Sequence, residues 1–379
     1  MAIIAIFCDG TWNRFNDTSQ THVARLAQAC GQTPDQRVFY VEGVGTGSGR
    51  FSELGRWFSK VGGGLFGWGL NRNIKTAYQT LCHSYQPGDK IMVFGFSRGA
   101  YTARSLVGMI RKCGILSDPT ARNVDRAFRL YRLRGADNGP DAGHVWAERR
   151  KLSPDYATSA EDVIRRADHS YLVRITYLGV WDTVGALGVP RSLLGPFAAI
   201  WNKRYAFHDT TLSRLVEKAR HAVALDEKRA PFAPSLWDNL DATPQDAGLN
   251  QGDESNARRY QQVWFAGSHG IIGGSMPPEG LAAAPLDWIW TGAHQAGLQL
   301  QPGKRIPTAL VDAVGPAPEL YDVNSLYKLV PWLLKWRRGP ASTQAMHPTA
   351  RLRAALVSNY RPEALRAALP GLFRIKKAV

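Results

Sequence analysis

Short apolar runs alternate along this chain with segments in which apolar residues recur every three or four positions. Runs of this length predict buried strands, and the recurring spacing predicts amphipathic helices. The predicted strands span residues 2–7, 37–41, 91–94, 171–180 and 263–266. The predicted helices span residues 21–29, 53–61, 71–83, 100–111, 124–134, 212–225 and 286–297. Strands separated by helices predict an α/β fold, with a mostly parallel central sheet flanked by helices.

The strand predicted at 91–94 leads into the sequence G-F-S-R-G at residues 95–99 and then into a predicted helix. A G-x-S-x-G motif between a strand and a helix is the context of a nucleophile elbow. Because this turn is sharp, its flanking residues, Gly95 and Gly99, must be very small. The sequence therefore predicts that Ser97 is a nucleophile displayed at the end of its strand.

Four predicted strands are followed by a polar residue between small or turn-forming neighbours: Asp9, Ser97, Asp182 and His269. Sites in parallel sheets form at the carboxyl ends of the strands. We therefore expect these four residues to share one edge of the sheet. Ser97, Asp182 and His269 also follow one another in the chain order of α/β-hydrolases.

This order suggests a role for each residue. A serine hydroxyl is a weak nucleophile that needs an adjacent base. His269 would take the proton of Ser97 and return it to the leaving group, while Asp182 would fix the imidazole tautomer. Asp182 could instead be a turn or cap residue. Three other histidines, His208, His221 and His347, compete with His269 for the role of base. The strongest competitor is His208, because it stands beside Asp209.

An oxyanion formed at Ser97 would need two hydrogen-bond donors. One donor would be the N–H of Arg98, and Gly10 or Thr11 would supply the other. Asp9 is either a supporting catalytic group or a structural carboxylate that bonds the amides of Thr11 and Trp12.

Neither a cofactor nor a metal site is predicted. Residues 62–67 match G-x-G-x-x-G, but the segment in front reads as a helix rather than a strand, which excludes a dinucleotide site. We predict a close-packed loop there. The four cysteines, Cys8, Cys30, Cys82 and Cys113, have no metal-ligand spacing and are typical of reduced core residues.

Lysine and arginine number 47 against 31 acidic residues, so the net charge is +16. Such a charge indicates an anionic partner, for example a phospholipid surface or nucleic acid, or simply a basic protein. Residues 326–336 mix leucines, aromatics and cations. As a helix, this segment would lie in a lipid headgroup layer, with Lys328, Lys335, Arg337 and Arg338 facing the lipid. The alternative is a packing segment, since Pro331 would break the helix.

The 379 residues fit a single α/β-hydrolase domain over 1–379. We predict a helical cap or insertion at 115–170 and a C-terminal helical or irregular extension at 301–379. Residues 1–8 lack the features of a signal peptide, and no apolar run is long enough to span a membrane. A cytoplasmic location in the producing cell is therefore expected.

Six ordered stretches of the chain resemble one bacterial family of α/β-hydrolases. This family, long known only as a domain of unknown function, includes the catalytic domain of type VI secretion phospholipase effectors. The stretches are 7–13, 40–46, 95–100, 179–185, 221–227 and 263–269, and the resemblance continues to 360–362.

The resemblance implies that Ser97 is the nucleophile, that Asp182 and His269 complete a triad, and that phospholipid esters are the substrate class. It also implies an antibacterial effector delivered by a type VI secretion system, with a secretion-system or immunity protein as partner and no nucleic acid. One departure is Ile271, which replaces an acidic residue that is usual in the family.

Three functions remain open at this point. The first is a phospholipase or lipase that makes peripheral contact with an anionic membrane. The second is an esterase or thioesterase for a small soluble substrate. The third is a degenerate hydrolase fold used for binding, which the change at Ile271 motivates.

Overall fold

The structure is a computed structural model. It describes residues 1–10, 20–43, 64–167, 170–185, 211–243, 246–306, 310–321, 327 and 331–373. The helix predicted at 53–61 and the alternative base His208 lie outside the described residues.

The secondary structure alternates between strands and helices along most of the described chain. The strands are β1 (Ile3–Cys8), β2 (Gln36–Val41), β3 (Lys90–Phe96), β4 (Tyr156–Ala157), β5 (Tyr171–Leu172), β6 (Ile175–Trp181), β7 (Ala219–Ala224) and β8 (Tyr260–Phe265). The helices are α1 (His22–Ala29), α2 (Gly64–Ser84), α3 (Arg98–Cys113), α4 (Ala121–Arg132), α5 (Gly143–Leu152), α6 (Ala160–Arg166), α7 (His269–Ile272), α8 (Glu279–Gln295), α9 (Pro348–Leu356) and α10 (Glu363–Ala368).

Within the described residues, six strands form the central sheet in the order β2-β1-β3-β6-β7-β8, and every neighbouring pair is parallel. Successive side chains of a strand point to opposite faces. Ile4 and Ile6 of β1 accordingly pack with α2 and α3, while Ala5 and Phe7 pack with α1 and α8. Helices thus cover both faces of the sheet, which confirms the predicted α/β-hydrolase-like fold.

Local sequence explains where several helices begin and end. Side-chain oxygens of Thr21, Thr120 and Ser159 accept hydrogen bonds from the first turns of α1, α4 and α6. Such N-caps satisfy backbone N–H groups that have no partner within the helix. The helix α3 ends at Gly114, whose φ of 75° is accessible to glycine at low cost.

The prediction of a helix at 212–225 is wrong. Its second half is strand β7, which lies in the sheet between β6 and β8. The apolar positions do recur at helical spacing, but residues 221–224 are buried on both sides, as a strand inside a parallel sheet must be. Hydrogen bonding to β6 and β8 therefore makes residues 219–224 a strand, although their apolar spacing favours a helix.

Two other boundaries differ from the prediction. Residues 171–180 form two strands: β5 pairs with β4 in a separate small sheet, whereas β6 joins the central sheet. Residues 64–67, which belong to the loop predicted at 62–67, form the first turn of α2. Glycine weakens a helix without forbidding it, and the apolar residues between these glycines continue the pattern of the helix.

The described part of the C-terminal extension packs against β8 and the loop after β7. We call residues 331–347 the C-terminal strap. The N–H of Lys335 donates to the carbonyl of Lys228 (2.6 Å), and the N–H of His347 donates to the carbonyl of Trp264 (2.8 Å). The strap therefore lies beside β8, the last strand in the order of the central sheet.

The membrane-facing helix, one of the two alternatives for this segment, is not present in the described part of 326–338. Pro331–Leu333 forms a single 3-10 turn, and Leu334 then makes a β-bridge to Arg229. Arg337 does not face solvent, because it is buried against Asp182. Lys328 lies outside the described residues, whereas Lys335 and Arg338 are exposed.

The predicted insertion at 115–170 contains α4, α5, α6 and β4. Val124, Ala127 and Leu130 of α4 share an apolar cluster with α3. None of the described helices combines the length and the apolar character that crossing a membrane requires.

Candidate functional site

Ser97 occupies the tight turn between β3 and α3. Its φ of 58° and ψ of −121° are strained for a residue with a side chain, at a cost of about 1–3 kcal/mol. A Cβ on Gly95 would lie 2.5 Å from the carbonyl oxygen of Gly99, and one on Gly99 would lie 2.1 Å from that of Cys8. Both glycines of the motif are therefore required by the packing of the turn.

Backbone hydrogen bonds place Asp182 beside this turn. The N–H of Ser97 donates to the carbonyl of Trp181 at 3.0 Å, so pairing of β3 with β6 continues past the end of β3. The N–H of Asp182 donates to the carbonyl of Ala222 at 2.7 Å, and its φ of 38° turns the chain away from the sheet. Ser97 and Asp182 thus leave adjacent strands at the same edge.

His269 reaches Ser97 from a strand three places away. The segment after β8 forms the short helix α7 and then turns back along the carboxyl edge. Gly273 lies against the ring of Phe96, where an added Cβ would be 2.1 Å from a ring carbon. Its carbonyl accepts a hydrogen bond from the N–H of His22 (2.8 Å). This close approach brings the imidazole across the ends of the intervening strands.

The three side chains form a continuous hydrogen-bonded chain. The Oγ atom of Ser97 lies 2.8 Å from Nε2 of His269, and Nδ1 of His269 lies 2.5 Å from Oδ2 of Asp182. All three residues are buried. These distances allow a proton to pass from the hydroxyl to the imidazole.

Apolar surroundings keep the imidazole neutral. The rings of Phe96 and Phe232 both lie 4.8 Å from the ring of His269, centroid to centroid. Burial lowers the pKa of His269, although the hydrogen bond to Asp182 opposes this shift. A neutral imidazole has a lone pair on Nε2 and can therefore accept a proton.

Asp182 is bound by an arginine that sequence reasoning assigned to a membrane surface. The NH1 group of Arg337 donates to Oδ1 (2.6 Å), and its NH2 group donates to Oδ2 (2.7 Å). The N–H of Ala224 donates to Oδ1 as well (2.9 Å). Burial alone would raise the pKa of Asp182, but Arg337 and His269 outweigh this effect and hold that pKa well below its usual range. Asp182 is therefore a carboxylate anion.

Glu227 is a second residue that the sequence analysis missed. Its Oε2 atom accepts a hydrogen bond from the backbone N–H of His269 (3.2 Å). Its carboxylate is held by the side chain of Arg229, at 2.8 Å from Nε and 2.7 Å from NH2. A signal was available, because acidic residues follow the apolar run of β7. The incorrect helix at 212–225 concealed this strand end.

The structure gives Asp9 a structural environment. Its Oδ2 atom accepts hydrogen bonds from the hydroxyls of Thr21 (2.6 Å) and Tyr40 (2.5 Å), and its Oδ1 atom accepts one from the N–H of Gly10 (2.6 Å). The last bond engages the N–H of Gly10, which the sequence analysis names as one of two alternative oxyanion donors. Thr11 lies outside the described residues, and Arg98 begins α3 directly after Ser97.

The described rival histidines have other roles. The Nε2 atom of His221 accepts the N–H of Thr183 (3.1 Å), and its Nδ1 atom lies 3.0 Å from Oε1 of Gln262. Burial lowers the pKa of His221 to about 3. His347 caps α9 through Thr349, and burial lowers its pKa to about 4. Neither is placed at the Ser97 hydroxyl.

Ile271 is fully buried and belongs to an apolar cluster that includes Leu225 and Trp264. A carboxylate at this position would have to be buried among apolar side chains. The hydrogen-bonded chain from Ser97 to Asp182 does not pass through residue 271.

Among the described residues, no group of three or more histidine, cysteine or acidic side chains is placed to hold a metal ion. All four cysteines are buried and unpaired with one another. Burial raises the pKa of Cys30, Cys82 and Cys113 to about 12, so these thiols stay protonated. Protonated thiols are inert as nucleophiles and poor as ligands.

Comparison with known proteins gives matches of several kinds. The family model of the type VI secretion system Tle1-like phospholipase effector catalytic domain matches residues 3–292. The uncharacterised protein YEL023C of Saccharomyces cerevisiae is 31% identical over 236 residues, which are 60% of this chain and 31% of the yeast protein.

Two solved structures are also similar. An uncharacterised protein from Pseudomonas aeruginosa has a TM-score of 0.42 and 15% identity, over 97% of this chain and 56% of that chain. The Tle1 effector bound to the VgrG spike of the type VI secretion system has a TM-score of 0.37 and 16% identity, over 74% of this chain and 52% of that chain. The chain thus spans about a third of the yeast relative and about half of each solved chain. Because the family model covers most of its length, the chain belongs to the family of Tle1-like catalytic domains of type VI secretion phospholipase effectors.

Proposed function

We propose that this protein is a serine hydrolase that cleaves carboxylic esters of membrane phospholipids. Ser97 is the nucleophile, His269 the general base and acid, and Asp182 the residue that orients His269. The main support is the hydrogen-bonded chain of 2.8 and 2.5 Å that joins these three side chains on a strained elbow. Membership of a phospholipase effector family supports the substrate class.

In the first half of the reaction, Ser97 Oγ attacks the ester carbonyl carbon while Nε2 of His269 takes the hydroxyl proton. The tetrahedral intermediate then collapses, and the C–O bond to the lysophospholipid breaks. His269 returns the proton to the departing alkoxide oxygen. The product is an acyl ester on Ser97.

In the second half, water attacks the acyl ester, and His269 accepts one of its protons. Collapse of the second intermediate releases the fatty acid, and the proton returns to Ser97 Oγ. The carboxylate of Asp182 stabilises the imidazolium that forms in each half. It can do so because its low pKa keeps it ionised.

The negative oxygen of each intermediate needs donors close to Ser97. The N–H of Arg98 is well placed, since it is the first N–H of α3, and a helix N-terminus favours negative charge. The N–H of Gly10 is bonded to Asp9, so Thr11 remains our proposal for the second donor.

Family membership also supports a role as a secreted effector. We propose delivery by a type VI secretion system, with a spike component as partner during delivery and an immunity protein as partner in the producing cell. The solved Tle1 effector is bound to such a spike. Peripheral contact with an anionic bilayer would bring the substrate to the site.

The test is hydrolysis of mixed phosphatidylglycerol and phosphatidylethanolamine vesicles, measured as fatty acid released, together with hydrolysis of a short-chain soluble ester. We expect Ser97→Ala to fold as wild type and to lose activity by several orders of magnitude, because the members of a triad act as a unit. The matched control is Ser117→Ala, since Ser117 is an exposed serine beyond the end of α3.

Each alternative function predicts a different result. Cleavage of the soluble ester without cleavage of vesicles would identify an esterase or thioesterase. Absence of Ser97-dependent hydrolysis, together with absence of fluorophosphonate labelling at Ser97, would identify a binding fold.

A further inference from the structure

The family model matches residues 3–292, and Arg337 lies beyond this range. Its guanidinium nevertheless binds the carboxylate of Asp182 in the site. Its side chain is 2% exposed, and both terminal nitrogens donate to the carboxylate of Asp182, at 2.6 and 2.7 Å. Paired, planar contacts of this kind fix the orientation of a carboxylate as well as its charge.

The carboxylate of Asp182 has a full set of hydrogen-bond donors. Oδ1 accepts from Arg337 and from the N–H of Ala224, and Oδ2 accepts from Arg337 and from His269. Two oxygens provide about four acceptor positions, so each is occupied. Rotation of the carboxylate would break the bond to His269 together with the bonds to Arg337.

Backbone carbonyls also hold the guanidinium. NH1 donates to the carbonyl of Ala224 (3.0 Å), and NH2 donates to the carbonyl of Phe232. The C-terminal strap is anchored two residues earlier by the bond from Lys335 to Lys228. Arg337 is therefore a fixed reference for Asp182 rather than a mobile surface cation.

We propose that Arg337 is a positioning residue of the hydrolytic site. It holds the plane of the Asp182 carboxylate and offsets its negative charge, and it thereby sets both the orientation and the basicity of His269. This inference rests on the proposed function, because it concerns the same hydrolytic reaction.

The two effects of Arg337 have separate signatures. Loss of orientation lowers kcat, because Nε2 of His269 is no longer held against the hydroxyl of Ser97. Loss of the positive charge leaves Asp182 with its full negative charge, which favours the imidazolium. The pKa of His269 then rises, and the acid limb of the pH profile moves to higher pH.

Two substitutions distinguish these effects. Arg337→Gln removes the charge and the paired contact, whereas Arg337→Lys keeps the charge but replaces the planar pair with a single ammonium. We expect kcat for a short soluble ester to fall about 10- to 100-fold in both variants. The acid limb of kcat/KM should move up by about one pH unit in Arg337→Gln only. The control is Arg351→Gln, an exposed arginine of α9 with the same change of charge, which should behave as wild type.

Rates are expressed per Ser97 that reacts with a fluorophosphonate probe, so that unfolded protein does not count. A purely structural role would lower the labelled fraction but leave the rate per labelled site and the acid limb unchanged, and this result would overturn the proposal. If Arg337→Gln does not fold, Arg337→Lys decides: a wild-type kcat refutes the positioning role, and a reduced kcat supports it. Absence of Ser97-dependent turnover in the wild type would instead refute the proposed function.

Discussion

At the level of single residues, the site depends on an imidazole that is neutral while the carboxylate beside it is charged. Burial disfavours both charged forms, and so it alone would leave both groups neutral. Arg337 changes this outcome for Asp182, since a cation bonded to both oxygens keeps the acid ionised. Phe96 and Phe232 carry no charge that would favour the imidazolium form of His269, and they only shield its ring from water.

This difference predicts the pH dependence of the reaction. In the proposed mechanism the base form of His269 is the active form, and burial lowers its pKa below the ordinary value of 6.5. Activity should therefore be retained as pH falls through 6.5 and should be lost only at lower pH. The measurement is kcat/KM for a soluble ester from pH 4 to 9, with circular dichroism to confirm folding at each pH. An acid limb above 6.5 would mean that the hydrogen bond to Asp182 outweighs burial.

The sequence predicted the residues of the site whose signal is local. Ser97, Asp182 and His269 each follow an apolar run that ends in small or turn-forming residues, and the fold brings all three together. Arg337 could not be found in this way. It lies 155 residues after Asp182, on a strap without a recognisable motif, and a single arginine among many cations gives no sequence signal.

At the level of elements, the backbone of the turn between β3 and α3 is strained at Ser97, and packing of the neighbouring elements keeps it in that conformation. The first turn of α3 packs against the end of β1, and Gly99 is the point of contact. A side chain there would push α3 away from β1 and would move Ser97 relative to His269.

We therefore predict that Gly99→Ala destabilises the protein and lowers activity. An added Cβ would lie 2.1 Å from the carbonyl oxygen of Cys8 and 2.5 Å from that of Asp9, and backbone atoms cannot yield as a flexible side chain does. Overpacking of this kind costs about 1–3 kcal/mol. Thermal unfolding and ester hydrolysis measure the two effects.

Gly143→Ala is the matched control for this change, because nothing lies within 4 Å of a Cβ at Gly143 in the first turn of α5. It should leave stability and activity close to wild type. Equal stability of the two variants would show that the contact between α3 and β1 relaxes without cost.

The elements that the sequence mispredicted show where local pattern is insufficient. The apolar positions of residues 219–224 recur at helical spacing, and the segment is a strand because it lies between β6 and β8 in the sheet. Strands with an unambiguous apolar run, such as β1 and β3, were predicted within a few residues. A residue of the site can be predicted from the sequence when it follows a strand that has such an unambiguous apolar run.

At the level of the whole molecule, the net charge of +16 is distributed over two very different environments. Some cations are buried and bonded, as Arg337 is at Asp182 and Arg149 is at Asp162. Only exposed cations can attract an anionic surface at a distance. A membrane role must therefore be tested with exposed residues, and Arg337 has to be left intact.

The strap offers such residues close to the site. Lys335 and Arg338 are exposed and flank Arg337, which places them near the carboxyl edge of the sheet. Lys304 and Arg305 are also exposed, but they follow a segment that is bonded to Gln36 at the start of β2, on the amino edge. The two pairs have the same charge and lie at opposite edges.

We predict that Lys335→Gln/Arg338→Gln weakens binding to phosphatidylglycerol vesicles more than Lys304→Gln/Arg305→Gln does, because the proposed function requires the site to face the bilayer. Each cation near an anionic surface contributes about 1 kcal/mol, so the first pair should weaken binding by about tenfold or more. Wild-type binding should also fall as salt rises, since exposed charges are screened. Vesicle co-sedimentation measures both effects, and hydrolysis of a soluble ester should stay unchanged in both variants. Equal loss of binding in the two variants would mean that cations at the carboxyl edge and the amino edge of the sheet contribute equally to binding. The strap would then not orient the site toward lipid.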